Sequence, residues 1–524
     1  MSDQSPENTF DVVVAGMGPV GKMIALMLAR QGHRVLIADK KASPYALPRA
    51  VAHDAEIARI LQSAGLPPDS MPDCVEPYDD MYVWVNANDE VLHLVDWTGI
   101  DPSGWHNTYF YNQPGLEAHI DERMRGSGDL HVARGSGVTI VQQDSTGVDV
   151  NLVDVESGSI RTIRAKYVLG ADGANSDTRR SVGIGWKDLG YFFDWLVVDV
   201  IPGPGSDITH LAKQVADPKR PTTVVPAGPG RRRWEFMLLE GENAEEMAKP
   251  ENIWKLLATF GLDSSNASIE RGVVYRFESG WATTWRKDRV LLLGDAVHKM
   301  PPFAGQGLAA GFRDCLNLSW KLDLVLKGLA AEGLLDSYAS ERSQHVSDFI
   351  DFSVSLGSII CITDPELAAQ RDRAMIADRE SGRQPEPPPT PRLGAGVFEG
   401  DEGGYLSWQG QITRVAHGPH IKFDDVFGAG SLILSDAALV AEVSRENLAE
   451  LEKRGIRVTS FGESEAAGIA SFTDVDGTYV TWFASIGAHA VLVRPDFYVY
   501  GTAKNSGDVA GLAQSFLSAV AGSK

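Results

Sequence analysis

The chain has 524 residues, 43% hydrophobic and 23% charged, with a formal net charge of −22. That length calls for two or three domains, and the acidic balance, scattered as over a solvated surface, argues against nucleic acid or an anionic membrane as partner. Three cysteines (Cys74, Cys315, Cys361) without CxxC spacing argue against a disulfide scaffold, a zinc site or an iron–sulfur cluster, so no metal is expected and a reducing cytoplasm fits.

The N-terminus (Ser2-Asp3-Gln4-Ser5) carries no signal pattern, and no apolar stretch approaches the roughly 18 residues of a membrane span. Phe10 to Ala15 reads as a buried strand, Gly16-Met17-Gly18-Pro19-Val20-Gly21 as a tight turn, and the following residues as a helix to about Arg30, stopped by Gly32. Arg34 to Ala38 is a second strand with Asp39 at its end, near the expected ~20-residue spacing from the glycines. This is the βαβ dinucleotide fingerprint: glycines admit a pyrophosphate to the helix N-terminus, and the acid takes a ribose hydroxyl. It does not separate FAD from NAD.

Pro48-Arg49-Ala50 leads into a helix over Glu56 to Ala64; taken alone, Arg49 reads as a surface cation. Gln113 stands just before another helix. Val168 to Gly170 is a third strand, running into Asp172-Gly173 and Arg179, a spacing able to buttress a second segment of a long cofactor. Between Gly185 and Ser279 the runs Trp195–Val200, Thr222–Pro226 and Arg232–Leu239 alternate with Pro/Gly turns, as in an antiparallel sheet, which residues 82–97 are expected to join. Arg231-Arg232-Arg233 reads either as a solvated turn or as an attractor of NADPH phosphates.

Val290 to Leu293 is another buried strand, followed by Gly294-Asp295, Pro301-Pro302, Gly305-Gln306-Gly307 and a long helix from Leu308. A strand thus delivers a carboxylate, and a helix N-terminus, with about half a positive charge, points back at the same space. The proline-rich stretch Gln384 to Pro391 reads as a linker. Beyond it, Ser431–Ser435, Glu446–Arg454, Ile456–Ser460, Ala490–Tyr500 and Val509–Ala521 give a β-α-β…β-β-α order. No cysteine follows Cys361, so dithiol chemistry is impossible there and an interaction or dimerisation module is expected.

In this order, the Gly16–Gly21 motif with Asp39, Asp172-Gly173 with Arg179, and Gly294-Asp295 through Gly307 resemble single-component (class A) FAD-dependent aromatic hydroxylases with the para-hydroxybenzoate hydroxylase fold. The Met300–Gly307 string and the C-terminal extension are most like the 3-(3-hydroxyphenyl)propionate hydroxylase branch. The resemblance implies an α/β chain. Its parts are a Rossmann-like FAD-binding domain (1–80, 100–184 and 280–380), an inserted antiparallel β-sheet substrate domain (81–99 and 185–279), a linker (381–395) and a thioredoxin-like C-terminal domain (396–524). It implies hydroxylation of a small phenolic substrate, ortho or para to a ring hydroxyl, with O₂ and NAD(P)H through a flavin C4a-hydroperoxide, by a cytoplasmic homodimer.

For the site, the resemblance gives Gly16, Gly18, Pro19, Val20 and Gly21 to the pyrophosphate, Asp39 with Lys40 to the adenosine end, and Gln113 to the ribityl or phosphate part. Asp172 buttresses, Asp295 bonds the ribityl chain, and Gly305, Gly307 and Leu308 meet the ring edge. Arg49 and Pro302, whose carbonyl faces the ring, are the catalytic candidates, and the ring is expected to move between exposed and buried positions. Phe192, Phe193, Trp195, Trp281 and Trp285 are candidates for the substrate wall, and His298 is read as structural rather than as a base. Two alternatives stay open: a flavoprotein with another reaction (halogenase, epoxidase or dehydrogenase), and a flavin-binding regulatory protein.

Overall fold

A computed structural model describes residues 8–44, 49–383, 388, 392–414, 418–461 and 469–522. Pro48 and most of the proline-rich stretch, Gln384–Pro387 and Pro389–Pro391, lie outside these described residues.

The first sheet has eight strands around Thr9–Ala15, which runs parallel to Val35–Asp39 on one side and to Ile160–Gly170 on the other. Val290–Leu292 continues the parallel set beside Ile160–Gly170. Val12, Val13 and Val14 are fully buried, as expected of strands covered on both faces. Because the strands are parallel, their C-terminal ends share one edge. Gly16, Asp39, Ala171 and Leu293 therefore leave the sheet side by side, in the crevice where open α/β sheets bind ligands.

The second sheet also has eight strands, and Met81–Val85 and Val91–Asp96 join it as expected. Its longest pair is Trp186–Pro202 with Ala267–Ala282. The sequence marks only Trp195 to Val200 of the first. The strand extends much further because an irregularity between Asp188 and Phe192 lets it bend without leaving its partner, which also turns Phe192 out to solvent.

The third sheet is C-terminal. Ser431–Leu434 is parallel to Arg457–Phe461 and antiparallel to Ala490–Val493, which pairs with Val499–Ala503 in the expected hairpin. This unit docks on its own chain through buried charges. Arg494 bonds Glu341 at 2.7 and 3.0 Å, Asp496 accepts from Trp320 Nε1 at 3.0 Å, and Tyr498 donates to Glu56 at 2.8 Å. Arg59 adds a forked pair with Asp424. Among the described residues, no single helix is long and apolar enough to cross a membrane.

Candidate active site

A cavity of about 2000 Å³ opens between the crevice of the first sheet and one face of the second. At the crevice end it is lined by Gly18, Pro19 and Val20, where the Pro19–Arg30 helix begins without a side-chain cap. Gly16 and Gly21 do not line it; they are the packing glycines behind it. A Cβ at Gly16 (φ +103°) would collide with the Ala171 carbonyl, and one at Gly21 with the Gly16 carbonyl. At Gly18 a Cβ would meet nothing within 4 Å, so that backbone is open to a ligand. Asp39 fixes the turn, accepting from Met17 N at 2.7 Å, while Lys40 pairs with Asp177.

Asp172 and Arg179 frame the cavity from behind. Asp172 accepts from Thr178 N and Oγ1, both at 2.9 Å, and Arg179 ties the carbonyls of Ala174 and Ala296 together. Asp295 follows on that second loop. Its side chain is exposed to the cavity, though crowded by the loops beside it, and, among the described residues, accepts no hydrogen bond. Burial raises its pKa, offset in part by His298, Arg49 and Lys299. His298 is a strut: its Nε2 lies 2.8 Å from Asp314, which also takes Gly294 N and Arg342.

Pro302, Gly305, Gly307 and Leu308 line the middle of the cavity. The Pro302 carbonyl accepts from Gly305 N at 2.8 Å, and the Gly307–Leu326 helix starts there without a side-chain cap. Glycines 305 and 307, like Gly18, would place a Cβ in open space. Arg49 also lines the cavity, held by its backbone: Gln113 Oε1 accepts from Arg49 N and Ala50 N at 3.0 and 2.9 Å, and the Arg49 carbonyl accepts from Arg233. Gln113 lines the cavity as well and has this positioning role beside it. Its amide positions the Arg49 segment and leans on Glu117, which pairs with buried Lys22.

A long slot with three open glycine positions, two uncapped helix N-termini and an acceptor carboxylate lacking a donor fits FAD. The FAD-binding-domain family model matches residues 9–353, and the HcaD C-terminal domain model matches residues 404–519. A probable NADH-specific resorcinol 4-hydroxylase of Rhodococcus jostii is 37% identical over 98% of this chain and 95% of its own length. A 3-(3-hydroxy-phenyl)propionate/3-hydroxycinnamic acid hydroxylase of Paraburkholderia xenovorans is 31% identical over 94% of this chain and 88% of its own. The crystal structure of the flavin-dependent monooxygenase PieE, in complex with FAD and substrate, superposes with a TM-score of 0.82 at 20% identity, covering 98% of this chain and 99% of PieE. The chain belongs to the FAD-dependent aromatic hydroxylases.

The reaction class left open by the motifs is therefore hydroxylation, with an aromatic ring, O₂ and a reduced nicotinamide as substrates. The aromatic residues expected to form the substrate wall stand away from the cavity. None of Phe193, Trp195, Trp281 and Trp285 is among the described residues lining the cavity. Trp195 is on the correct sheet face but lies one layer back, edge-on to Phe303, which covers it. Phe193 packs into the same cluster, Trp285 packs on His298 and Tyr338 in the core, and Trp281 lies under Lys187. The wall is built by Tyr82, Trp84, Thr223, Val225, Arg233 and Glu235.

The arginine run is not a solvated basic patch either. Strand alternation sends Arg232 to the carbonyls of His210 and Leu211, both at 2.9 Å, and Arg233 to a forked pair with buried Asp199 at 2.7 and 2.9 Å. Arg231 pairs with Glu270, so none of the three is aimed at nicotinamide phosphates. Glu235, which the sequence reading missed, shares a face with Arg233. The alternation of Arg-Arg-Trp-Glu-Phe-Met was the available signal, but it needed the sheet partners to say which face meets the cavity.

Proposed function

We propose that the hydroxylase acts on an uncharged dihydroxybenzene of the resorcinol type, placing the new hydroxyl ortho or para to an existing one, with NADH as reductant. The observation that carries this is the charge arrangement of the substrate wall. Arg233 gives its fork to Asp199, and Arg271 stands 3.5 Å from the same carboxylate, while Glu235 faces the cavity. A substrate carrying its own carboxylate would set a second anion beside Glu235. At ~4 Å and an effective dielectric of about 20, that repulsion is roughly 4 kcal/mol. A neutral ring hydroxyl meets an acceptor instead. The Rhodococcus relative, named as an NADH-specific resorcinol hydroxylase, supports the same choice.

FAD held in this slot would supply the redox and oxygen-transfer chemistry between the nicotinamide, O₂ and the ring. The chain's residues bind and shield. The Gly18 and Gly307 helix N-termini supply N–H groups for the pyrophosphate and for negative charge on the ring edge. Asp295 can accept from the ribityl hydroxyls. Phe303, Phe110 and Trp84 keep the substrate end dry. Arg49, pinned by Gln113 and Arg233, keeps its guanidinium at the cavity. As the working state we propose a cytoplasmic homodimer. Three buried cysteines, none in a disulfide among the described residues, and exposed Val132, Val141 and Ile160 on the strands between Leu130 and Gly170 support it, and light scattering at one chain mass would count against the dimer.

The test is a panel of resorcinol, phenol and 3-(3-hydroxyphenyl)propionate, scored for stimulated NADH and NADPH oxidation and for hydroxylated product. Resorcinol with NADH should lead by at least tenfold in kcat/KM; a lead by the propionate would overturn the reading.

A further inference from the structure

We propose that Glu235 accepts the proton of the substrate's ring hydroxyl, an assignment that rests on the dihydroxybenzene reading above. Glu235 sits in the middle of the Arg232–Met237 strand, facing Thr223 on one neighbouring strand and Val197 on the other. Its side chain is 16% exposed, and it lines the cavity. The hydroxyl, amide and guanidinium donors beside it bond elsewhere. Tyr82 OH and Thr223 Oγ1 donate to Gln214 Oε1 at 3.1 and 2.7 Å, and Gln214 returns its own N–H to the Thr222 carbonyl. Arg233 bonds Asp199 and the Arg49 carbonyl, leaving Glu235 an ion pair at 3.7 Å, beyond hydrogen-bond reach.

Among the described residues, the Glu235 carboxylate therefore accepts no hydrogen bond, although Tyr82, Thr223, Gln214 and Arg233 around it all have partners. Buried polar groups have partners, so an acceptor left open on a cavity wall marks where a ligand brings the donor. A ring hydroxyl supplies one O–H and no charge. The Arg233 bond to the Arg49 carbonyl joins this point of the wall to the cofactor side, so a ring held by Glu235 lies against the cofactor space.

The proton passes from the hydroxyl oxygen to a Glu235 carboxylate oxygen. One O–H bond breaks and one forms, and the electron pair left on the ring oxygen spreads to the ortho and para carbons, making them nucleophilic. Burial raises the Glu235 pKa, with Arg233 and Arg271 opposing and Asp199 adding to the rise, which brings the base closer in strength to a phenol. The ionisable groups facing it are Arg233 on its own strand, Asp199 and Arg271 on the strands beyond, and Tyr82, which burial drives above the ordinary phenol range. His53 also lines the cavity and has an unpartnered ring nitrogen, but its ring packs against Tyr109 and Tyr111, on the opposite strand face from Phe110.

The test uses the FAD-loaded enzyme and E235Q. Binding is read from the flavin absorbance change with resorcinol and with 1,3-dimethoxybenzene, which lacks the proton. E235Q should weaken resorcinol binding about tenfold and leave the diether unchanged. It should lower kcat about 100-fold at neutral pH, within the usual range for a lost general base. That loss should shrink as pH rises toward the ionisation of resorcinol itself, whereas a merely structural role would leave the pH profile flat. If E235Q does not retain flavin, E235D is read instead, and an intermediate loss of the resorcinol preference is expected. E235Q or E235D with wild-type binding and pH profile overturns the assignment alone. Wild-type enzyme that binds no dihydroxybenzene overturns the substrate reading and the assignment with it.

Discussion

The two walls of the cavity are made of different materials. The cofactor wall is mainly backbone: glycines 18, 305 and 307 and two helix N-termini, with the Asp295 carboxylate among them. The substrate wall is side chain, set on one face of a sheet, with its arginines paired to Asp199 and the Glu235 acceptor turned to the cavity. A backbone wall suits a cofactor common to many reactions, because peptide geometry can be kept while side chains vary. A side-chain wall suits the ring, because each strand position can be changed alone.

The sharpest contrast lies in tolerance to substitution. Gly21→Val should abolish flavin binding and soluble folding together, since its Cβ would enter the Gly16 carbonyl; yellow, folded Gly21→Val protein would remove the packing argument. Arg233→Met is next. It strands Asp199 in the sheet, a loss of about 3–5 kcal/mol by the usual cost of breaking a buried pair. Urea unfolding should shift accordingly, and the flavin that remains bound should lose its response to resorcinol. An unchanged midpoint would mean that Asp199 finds another partner.

Asp295→Ala removes one acceptor from the backbone wall. The loss is roughly 1–3 kcal/mol, so FAD affinity should fall about 10- to 100-fold without unfolding. Retention of full flavin through dialysis would free Asp295 of its role. The smallest effect has the opposite sign. The folded pKa of Glu235 is raised, so its charged form penalises folding above that pKa and the penalty vanishes below the unfolded value. E235Q should therefore melt slightly higher than wild type near pH 8, and the gap should close toward about pH 4. A gap that widened in acid would reverse the sign of the argument.

The same contrast explains what the sequence could say. Gly16–Gly21, Asp39 and Gly294–Gly307 are local strings whose spacing encodes strand, turn and helix, so the cofactor wall was legible. The substrate wall depends on sheet partners: Thr223 faces Glu235 only after two strands find their register. Large aromatics drew attention there, yet Phe303 covers Trp195, and Trp285 is needed in the core. The docking of the third sheet was illegible for the same reason. Glu341 with Arg494 and Glu56 with Tyr498 are distant in sequence, and each looks like an ordinary surface residue until the partner arrives.

The central claim is that one enclosed site couples reduced nicotinamide, O₂ and an uncharged dihydroxybenzene. The most direct measurement is turnover of resorcinol with NADH under ¹⁸O₂, followed by mass spectrometry of the product and a peroxide assay. The account predicts one labelled oxygen per trihydroxybenzene, with one NADH consumed per product and little peroxide. NADH oxidation that yields peroxide but no labelled ring, with resorcinol present, would contradict it.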